Sequence, residues 1–275
     1  MTELNAANEA ATTTERLQDP SPHRSLDVLV VEDNPVNQKL MVALLVKWGH
    51  RTVIAGDGAC GLKSLEGQDF DLVLMDIQMP VMDGITAICS IRAAERARGG
   101  HIPIIAITAH AAAEDRARCL DAGADRYLTK PMNPKFLRNA IAELLPAASR
   151  APSLTWAQNT GGQIDFERLK EFVGDDPELL AEVVQIFLDD APMALDSAAS
   201  AISRADSSAL EASAHRLKGS LSTLGATGAS ETANRLETMG RDKVLAGATE
   251  LFERLRREVG HTRESLRLWK GARTA

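Results

Sequence analysis

The stretch LVLMDIQMPVMDG at residues 72–84 decides the fold. Its apolar part belongs to the run DLVLM (71–75), which is followed at once by Asp76, and the stretch ends at Gly84. A short apolar run that is bounded by turn residues is typical of a strand buried on both faces of a parallel sheet. Open α/β sheets bind their ligands beyond the carboxyl ends of such strands, so Asp76 is a candidate functional residue.

Further apolar runs and amphipathic segments surround this strand between residues 26 and 145. The predicted strands lie at 26–31, 51–55, 71–75, 103–108 and 125–129, and the predicted helices lie near 35–48, 57–66, 83–98, 112–122 and 133–145. Strict alternation of strand and helix predicts an α/β domain whose parallel sheet is covered by helices on both faces. The uninterrupted apolar runs favour strands that are buried on both sides.

The sequence changes character after residue 146. Residues 147–163, AASRAPSLTWAQNTGGQ, are rich in small residues and contain a proline and paired glycines, which predicts a linker. From residue 164 onward, apolar residues recur at helical spacings of three and four. The predicted helices lie near 165–173, 176–203, 206–223, 226–239 and 243–269, with Pro192 as a candidate kink. The last four are long enough to form an antiparallel, all-α four-helix bundle.

Composition and charge argue against several classes of protein. The net charge is −7 and acidic residues outnumber basic ones in both halves, so the electrostatic footprint of a nucleic-acid-binding protein is missing. Residues 1–25 are polar and predict a disordered segment rather than a signal peptide, and no apolar run approaches the roughly 18 residues of a membrane span. Cys60, Cys89 and Cys119 lie about 30 residues apart, which favours buried, reduced thiols over a metal site. These features predict a cytoplasmic protein without nucleic-acid partners or membrane insertion.

Polar residues stand at the ends of the predicted strands. Glu32 and Asp33 end the first strand, Asp76 the third and Thr108 the fourth, and Lys130 follows the fifth. Because the carboxyl ends of parallel strands share one edge of a sheet, we expect these five side chains to converge. Crowded carboxylates repel one another unless a divalent cation joins them, and hard oxygen ligands suit Mg²⁺. A carboxylate can also attack phosphorus to give an acyl phosphate, whose oxygens Lys130 and Thr108 would stabilise.

Four stretches carry a resemblance to a known family: VVEDNPVNQKL (30–40), LVLMDIQMPVMDG (72–84), IIAITAHA (104–111) and GADRYLTKP (123–131). On these motifs, residues 26–146 resemble a response-regulator receiver domain. The resemblance implies a flavodoxin-like (βα)5 fold with the parallel strand order 2-1-3-4-5. The form VEDNPVNQ is most typical of receivers that belong to hybrid histidine kinases and phosphorelays.

The same resemblance implies a role for each residue at the strand ends. Asp76 matches the phosphoacceptor, and Lys130 matches the phosphate-binding lysine, whose bond to Pro131 is typically cis in the family. Thr108 and Tyr127 match the pair that changes conformation on phosphorylation. The implied ligands for Mg²⁺, or alternatively Mn²⁺, are Glu32, Asp33, Asp76 and the backbone carbonyl of Gln78.

A histidine on a predicted helix forms a second candidate site. In ASAHRLKGSLSTLGA (212–226), His215, Lys218, Gly219 and Ser222 share one helix face, since side chains three, four and seven residues apart meet there. The leucines form a neighbouring apolar stripe, so we expect the imidazole to be exposed. Lys218 supplies a cation. Gly219 costs roughly 1 kcal/mol against Ala in mid-helix, which indicates that another group approaches closely at this point.

The phrase HRLKGSLSTLG is similar to the His-x-x-Lys-Gly-(Ser/Ala) signature of histidine phosphotransfer domains, which are four-helix bundles. This resemblance covers residues 164–270 and leaves 271–275 as a tail. It implies that His215 carries a phosphoryl group with support from Lys218 and Gly219. A partner receiver would bring the metal ion and the carboxylates.

Together the two resemblances predict a phosphorelay intermediate. A partner histidine kinase would phosphorylate Asp76, and His215 would exchange the group with a receiver aspartate in the same chain or on a downstream regulator. Transfer in cis and in trans are both open, although a linker of about 17 residues reaches roughly 20–25 Å as a coil. An ATP-binding kinase core is not recognisable in the sequence. We therefore expect a stand-alone relay protein that accepts phosphoryl groups from phosphodonors with Mg²⁺, loses them slowly and does not use ATP.

Two other functions are alternatives. A phosphatase with an aspartate nucleophile needs a second aspartate two residues further on, where this chain has Gln78. Steady release of phosphate from small phosphate esters would support the phosphatase interpretation. The second alternative is a binding switch, in which phosphorylated Asp76 gates His215 through Thr108 and Tyr127 without donating to it. It predicts that an external receiver still phosphorylates His215 in an Asp76→Asn variant.

Overall fold

The computed structural model describes residues 25–109, 113–145, 169 and 176–274. Within them, one parallel sheet has the order β2-β1-β3-β4-β5, where β1 is Asp27–Val31, β2 is Arg51–Ala55, β3 is Leu72–Asp76, β4 is Ile104–Thr108 and β5 is Arg126–Thr129. The predicted order 2-1-3-4-5 is therefore confirmed. The register pairs Val31 with Met75 and Asp76 with Ile107, so the carboxyl ends of the three central strands lie side by side.

Helices alternate with these strands as predicted. They are α1 Pro35–Lys47, α2 Gly58–Gly67, α3 Gly84–Arg98, α4 Ala113–Asp121 and α5 Pro134–Leu144. An Asn or Asp directly before α1, α2, α3 and α5 accepts hydrogen bonds from the first-turn N–H groups, which explains where these helices begin. Pro35 and Pro134 occupy the first turn of α1 and α5, where a missing N–H removes no helical hydrogen bond.

Burial divides the strands into two groups. β3 and β4 are buried throughout, and β1 is buried except at its first residue. The expectation that every strand is buried on both sides is wrong for β2 and β5, whose residues are mostly exposed or half-buried because these strands form the two edges of the sheet. The expectation of buried thiols holds only for Cys119, since Cys60 on α2 and Cys89 on α3 are exposed.

The C-terminal region is helical and contains, in its described part, α6 Pro177–Ser203, α7 Ser207–Thr223, α8 Thr227–Arg241 and α9 Ala248–Thr274. α6 packs on α7, α7 on α8, α8 on α9 and α9 back on α6, and this closed ring is the predicted four-helix bundle. α9 begins later than residue 243, because Lys243 and Gly247 have positive φ angles that a right-handed helix does not accommodate. It also continues through most of the expected tail 271–275, and Pro192 lies inside α6 without ending it.

Three predicted segments lie almost wholly outside the described residues. They are the N-terminal segment 1–25, the linker 147–163 and the helix near 165–173, of which only Ser25 and the helical Leu169 are described. Within the described ranges, no helix combines the length and the apolar character that crossing a bilayer would require.

The bundle packs directly on the sheet domain. α1 contacts both α6 and α7. A single apolar core cluster includes Leu44 of α1, Val184 of α6 and Leu221 of α7. An exposed ion pair, 2.6 Å long, joins Lys39 of α1 to Glu182 of α6. The helix that follows the first strand therefore holds the bundle beside the carboxyl edge of the sheet.

Gly240 of α8 allows the backbones of α7 and α8 to come into contact. This contact leads to a prediction about stability. A Cβ atom at Gly240 would lie 2.6 Å from the Glu211 backbone nitrogen and 2.7 Å from the Ser207 carbonyl oxygen. Because packed backbone cannot move aside cheaply, we expect Gly240→Ala to lower the free energy of unfolding by about 1–3 kcal/mol. The matched control is Gly260→Ala in α9, where a Cβ meets nothing within 4 Å and should stabilise by up to about 1 kcal/mol. Urea denaturation measures both, and equal effects would contradict the prediction.

Candidate functional site

Three carboxylates lie together at the carboxyl edge of the sheet. Glu32 and Asp33 directly follow β1, and Asp76 is the last residue of β3. One oxygen atom from each lies within 4.8 Å of the others, and the side chains of Glu32 and Asp76 are fully buried. The structure thus brings together the three acidic residues that the sequence placed at strand ends.

Lys130 adds positive charge to this carboxylate cluster. Its Nζ lies 2.6 Å from Asp76 Oδ2 and 2.9 Å from Glu32 Oε2. The backbone N–H of Lys130 donates to the Thr108 carbonyl oxygen at 2.7 Å, which ties the residue to the end of β4. The peptide bond to Pro131 is cis, as the resemblance implied.

Burial and like charge both oppose ionisation in the cluster. Burial raises the pKa of Asp76 well above its usual value, the charge of Glu32 raises it further, and Lys130 opposes both effects. Burial and Glu32 also raise the pKa of Asp33. Burial alone would lower the pKa of Lys130, but the charges of Asp76 and Glu32 raise it overall. Lys130 and Arg216 oppose the rise in the pKa of Asp33 without reversing it, so the cluster is short of positive charge.

The donor set fits a hard divalent cation. Asp33 Oδ1 is buried and has no hydrogen-bond partner among the described residues. Carboxylate oxygens that leave positions open for water and phosphate are the ligands that Mg²⁺ prefers. The backbone of Gln78 stays close to the cluster, because its N–H donates to Asp76 Oδ1 at 3.2 Å. Gly84 permits this loop to pass the strand end, since a Cβ there would overlap the Asp76 carbonyl oxygen.

The predicted switch pair lies on neighbouring strands. Thr108 is the last residue of β4 and is only 2% exposed, whereas Tyr127 in β5 is half-buried. The guanidinium of Arg116 in α4 lies over the Tyr127 ring, 5.1 Å from its centroid. Their movement on phosphorylation stays a prediction.

His215 lies on α7 and faces the carboxylate cluster. Its imidazole lines one cleft with Asp33 and Thr108 and a second cleft with Lys130. The expectation of an exposed imidazole is wrong. His215 is 7% exposed and Lys218 is 8% exposed, because this face of α7 packs against the sheet domain and α8.

Glu237 of α8 belongs to this site although it was not among the residues predicted from the sequence. The side chain is fully buried, and its carboxylate contacts Gln78, His215, Lys218 and Arg241. Its Oε1 lies 2.9 Å from His215 Nδ1 and 3.0 Å from Arg241 Nη2. Gln78 Nε2 donates to the same oxygen at 3.3 Å, across the contact between the two domains.

The electrostatic balance around Glu237 differs from that of the carboxylate cluster. Burial raises the pKa of Glu237, but the hydrogen bond from His215 and the charges of His215 and Lys218 lower it to about 2. Burial lowers the pKa of Lys218, although Glu237 acts in the opposite direction. A sequence signal did exist, because an acidic residue in the apolar stripe of Ala233 and Leu236 is unusual unless it is paired.

Asn34 and Asn37 join the carboxylate cluster to α7. The Oδ1 atom of Asn34 caps α1, and its Nδ2 donates to Ser220 Oγ at 2.8 Å. Asn37 donates from Nδ2 to Glu32 Oε1 at 3.1 Å and accepts at Oδ1 from Thr223 Oγ1 at 2.8 Å. Both asparagines were within the quoted motif at 30–40, but their partners in the bundle carried no sequence signal.

Gly219 lets the helix approach these asparagines. A Cβ on Gly219 would lie 3.4 Å from Asn34 Nδ2 and 3.5 Å from Asn37 Nδ2, which is ordinary contact distance and leaves no room for a larger side chain. The close approach that the sequence predicted at Gly219 is thus made by the sheet domain of the same chain.

Two family models match separate parts of the chain. The response regulator receiver domain matches residues 28–142, which include all of the sheet except Asp27 and the whole carboxylate cluster. The Hpt domain matches residues 182–265, which include most of the helical bundle and His215.

Curated relatives extend over one or both of these parts. Sensor protein GacS of Pseudomonas syringae pv. syringae is 32% identical over 228 residues, which cover 80% of this chain and 25% of that protein. Signal transduction histidine-protein kinase BarA of Escherichia coli (strain K12) is 29% identical over 202 residues, covering 71% and 22%. Hybrid signal transduction histidine kinase I of Dictyostelium discoideum is 49% identical over 119 residues, covering 42% and 7%. This chain spans a quarter or less of the length of these relatives.

A solved structure is also similar in sequence to the sheet domain. It is the receiver domain of a sensor histidine kinase from Pseudomonas aeruginosa PAO1, with a magnesium ion in its active-site cleft. It is 41% identical, covers 44% of this chain and 98% of its own, and has a TM-score of 0.41. The family matches coincide with the two domains of the fold, and the chain contains a response regulator receiver domain followed by an Hpt domain.

Proposed function

We propose that the chain is a phosphorelay intermediate that carries a phosphoryl group on Asp76 of the receiver domain and on His215 of the Hpt domain. The position of His215 is the main support, because it lines one cleft with Asp33 and Thr108 and another with Lys130. A histidine that faces the receiver site of its own chain favours exchange between the two residues in cis.

Asp76 forms the acyl phosphate in this proposal. Its carboxylate oxygen attacks phosphorus, the bond from phosphorus to the donor's nitrogen breaks, and the donor keeps the electron pair. Lys130 Nζ, 2.6 Å from Asp76 Oδ2, stabilises the phosphoryl oxygens, and the Thr108 hydroxyl donates to one of them. In the next step an imidazole nitrogen of His215 bonds to phosphorus, the bond from phosphorus to Asp76 breaks, and Asp76 recovers its carboxylate.

The metal ligands that we propose are Glu32, Asp33, Asp76 and the backbone carbonyl of Gln78. Mg²⁺ fits these hard oxygen atoms, and Mn²⁺ is a second candidate. When bound, the ion supplies positive charge to the carboxylates and to the transferring phosphoryl group. As the phosphoryl group arrives, we propose that Thr108 turns toward it and that Tyr127 moves inward behind Thr108.

We propose two classes of partner, one that donates the phosphoryl group and one that accepts it. A histidine kinase donates to Asp76, and the similarity to sensor kinases such as BarA supports that class of donor. A downstream response regulator receiver accepts from His215, because an Hpt domain has no carboxylate site of its own and needs one from a receiver. Lys218 and Gly219 support the acceptor histidine through charge and through close approach.

Phosphoryl exchange between Asp76 and His215 is predicted to be intramolecular. After loading with ³²P-labelled acetyl phosphate and Mg²⁺, base-stable label should appear on His215 of the intact chain at a rate independent of protein concentration. An Asp76→Asn chain mixed with a His215→Gln chain should transfer roughly 10³-fold more slowly at about 1 µM, because tethered domains face each other at an effective concentration of about 1 mM.

Two outcomes of this experiment would contradict transfer in cis. Equal rates in the intact chain and in the mixture would show transfer between chains. Label that stays on Asp76 while an external receiver still phosphorylates His215 would favour a receiver that gates the Hpt domain without donating to it.

A larger side chain at Gly219 is predicted to slow the exchange. Gly219→Leu would press against Asn34 and Asn37, and a displacement of about 1 Å can cost roughly 100-fold in rate. Gly219→Ala is the matched control, since its Cβ fits at contact distance, and it should transfer near the wild-type rate. The label assay measures both after circular dichroism has confirmed helix content, and equal rates for Leu and Ala would exclude this steric role.

The carboxylate cluster is predicted to bind Mg²⁺ in a manner that depends on Asp33. Asp33→Asn should weaken binding at least about tenfold, because it removes charge from a residue whose buried oxygen lacks a protein partner. Asp57→Asn, at the half-buried N-cap of α2 after β2, makes the same charge change outside the carboxylate cluster and should bind as the wild type does. Isothermal titration calorimetry with MgCl₂ measures both, and unchanged affinity in Asp33→Asn would remove Asp33 from the ligand set.

A further inference from the structure

A cleft of about 630 Å³ lies between α6 and α9 of the helical bundle. Two turns of each helix form its walls, and its volume falls within the range of small-molecule binding sites. None of the described residues that line this α6–α9 cleft also lines the two clefts around His215. The α6–α9 cleft is therefore separate from the proposed site of phosphoryl exchange.

Three cations stand on one face of α9 in this cleft. Arg263, Arg267 and Lys270 are spaced by four and three residues, which places them on the same side of the helix. Asp189 of α6 is the one carboxylate among the described residues that line the cleft. Arg267 also lies 3.9 Å from Glu264, but an exposed pair at this distance contributes little. The lining therefore carries three positive charges against one negative charge, in a chain whose net charge is −7.

Arg263 has a guanidinium edge that lacks an acceptor. The residue is half-buried, and its Nε is buried without a hydrogen-bond partner. Nε and Nη2 form the edge through which arginine binds a carboxylate or a phosphate with two parallel hydrogen bonds. Arg51 uses these two atoms for Asp27, and Arg216 uses them for Asp190. The corresponding edge of Arg263 is thus built for an oxyanion that the described residues do not supply.

Pro192 explains why Arg263 is held at the wall of the cleft. A proline inside a helix cannot donate to the carbonyl oxygen four residues earlier, which here belongs to Leu188. Nη2 of Arg263 donates to that carbonyl oxygen at 3.4 Å. Because Nη2 carries two hydrogens, the second stays available on the edge that it shares with Nε.

Gln185 places Lys270 at the same cleft. Its Oε1 accepts from Lys270 Nζ at 2.6 Å, and its Nε2 donates to Asp189 Oδ1 at 2.8 Å. The neutral amide therefore stands between the ammonium group and the carboxylate. An ammonium group has three donors, so Lys270 can bind an anion without giving up this contact.

From these contacts we infer that the α6–α9 cleft binds a phosphate dianion, which is either inorganic phosphate or the phosphate group of a small phosphomonoester. Two phosphate oxygens accept from Nε and Nη2 of Arg263, and the charges of Arg267 and Lys270 offset the rest. A phosphate monoester carries close to two negative charges near neutral pH, which matches the positive excess of the lining. The side chains of Leu188 and Pro192 provide an apolar wall for the organic part of an ester.

Calorimetric titration of the full chain with sodium phosphate, and separately with glycerol 3-phosphate, tests the site at constant ionic strength without Mg²⁺. Arg263→Gln should weaken binding about 10- to 100-fold, the fold-change for loss of a hydrogen bond to a charged group. Arg263→Lys keeps the charge but not the two-atom edge, so it should lose most of the affinity as well. Arg257→Gln is the matched control, because Arg257 is an exposed arginine of α9 outside the cleft and should bind as the wild type does.

Nitrogen-15 NMR of the arginine Nε–H groups locates the bound phosphate in the wild-type chain. The signal that is missing from the spectra of Arg263→Gln and Arg263→Lys belongs to Arg263, and it should move as phosphate is added. Chloride at the same ionic strength should not reproduce the movement. Phosphate that binds only at the carboxylate cluster would leave this signal in place, so the two sites are told apart.

Either order of affinity for the two probes supports the site and identifies its source. Tighter binding of glycerol 3-phosphate would assign the cleft to an organic phosphomonoester, and equal or weaker binding would assign it to inorganic phosphate. Three results would overturn the inference: an Arg263 signal that neither probe moves, unchanged affinity in a folded Arg263→Gln chain, or an equal loss in Arg257→Gln. If Arg263→Gln fails to fold, Arg263→Lys still assigns the signal, and the titration of the wild type decides the matter.

Discussion

Like-charge crowding at the ends of β1 and β3 is the constraint on which the site depends. Asp76 and Glu32 are fully buried beside Asp33, and burial makes each ionised carboxylate costly. Lys130 offsets part of this cost from 2.6 Å away, and it follows β5, so it reaches the cluster across the end of β4. The charge balance of the site is therefore a property of the complete sheet and not of any single motif.

Glu32 connects the charged groups of the carboxylate cluster to the contact between the two domains. Its Oε1 accepts from Lys130 Nζ and from Asn37 Nδ2, both at 3.1 Å, and Asn37 in turn accepts from Thr223 of the Hpt domain. Asn34 caps α1 with one end of its amide and binds α7 with the other. Since α1 begins directly after the acidic pair, the segment that shapes the carboxylate cluster is also the surface on which the Hpt helix docks.

The sequence predicted the features that depend on short-range residue patterns or on the carboxyl edge that parallel strands share. The apolar run before Asp76, the helix caps and the convergence of Asp76 with Lys130 are of this kind. Exposure of β2 was not predictable from its run, because strand order decides which strand is an edge. The late start of α9 depends on the positive φ angle of Lys243, which cannot be predicted from lysine as a residue type. Contacts such as Asn37 with Thr223 join residues 186 apart, and no local periodicity encodes them.

Under the proposed function, the docked arrangement makes phosphoryl exchange within the chain compete with exchange between proteins. His215 is 7% exposed where α7 packs on the receiver, so a partner domain would reach its imidazole only after α7 leaves the receiver. Apolar packing of α1 on α6 and α7 gives the docking its strength, whereas the asparagine contacts, each contributing about 0.5–1.5 kcal/mol, fix its register. Under the proposed function, tighter docking would speed transfer from Asp76 to His215 and delay delivery to the next receiver. The hydrogen bonds at Asn34 and Asn37 are individually weak enough to break, which the proposed relay requires if the chain's own receiver and a downstream receiver are to use the same face of α7 in turn.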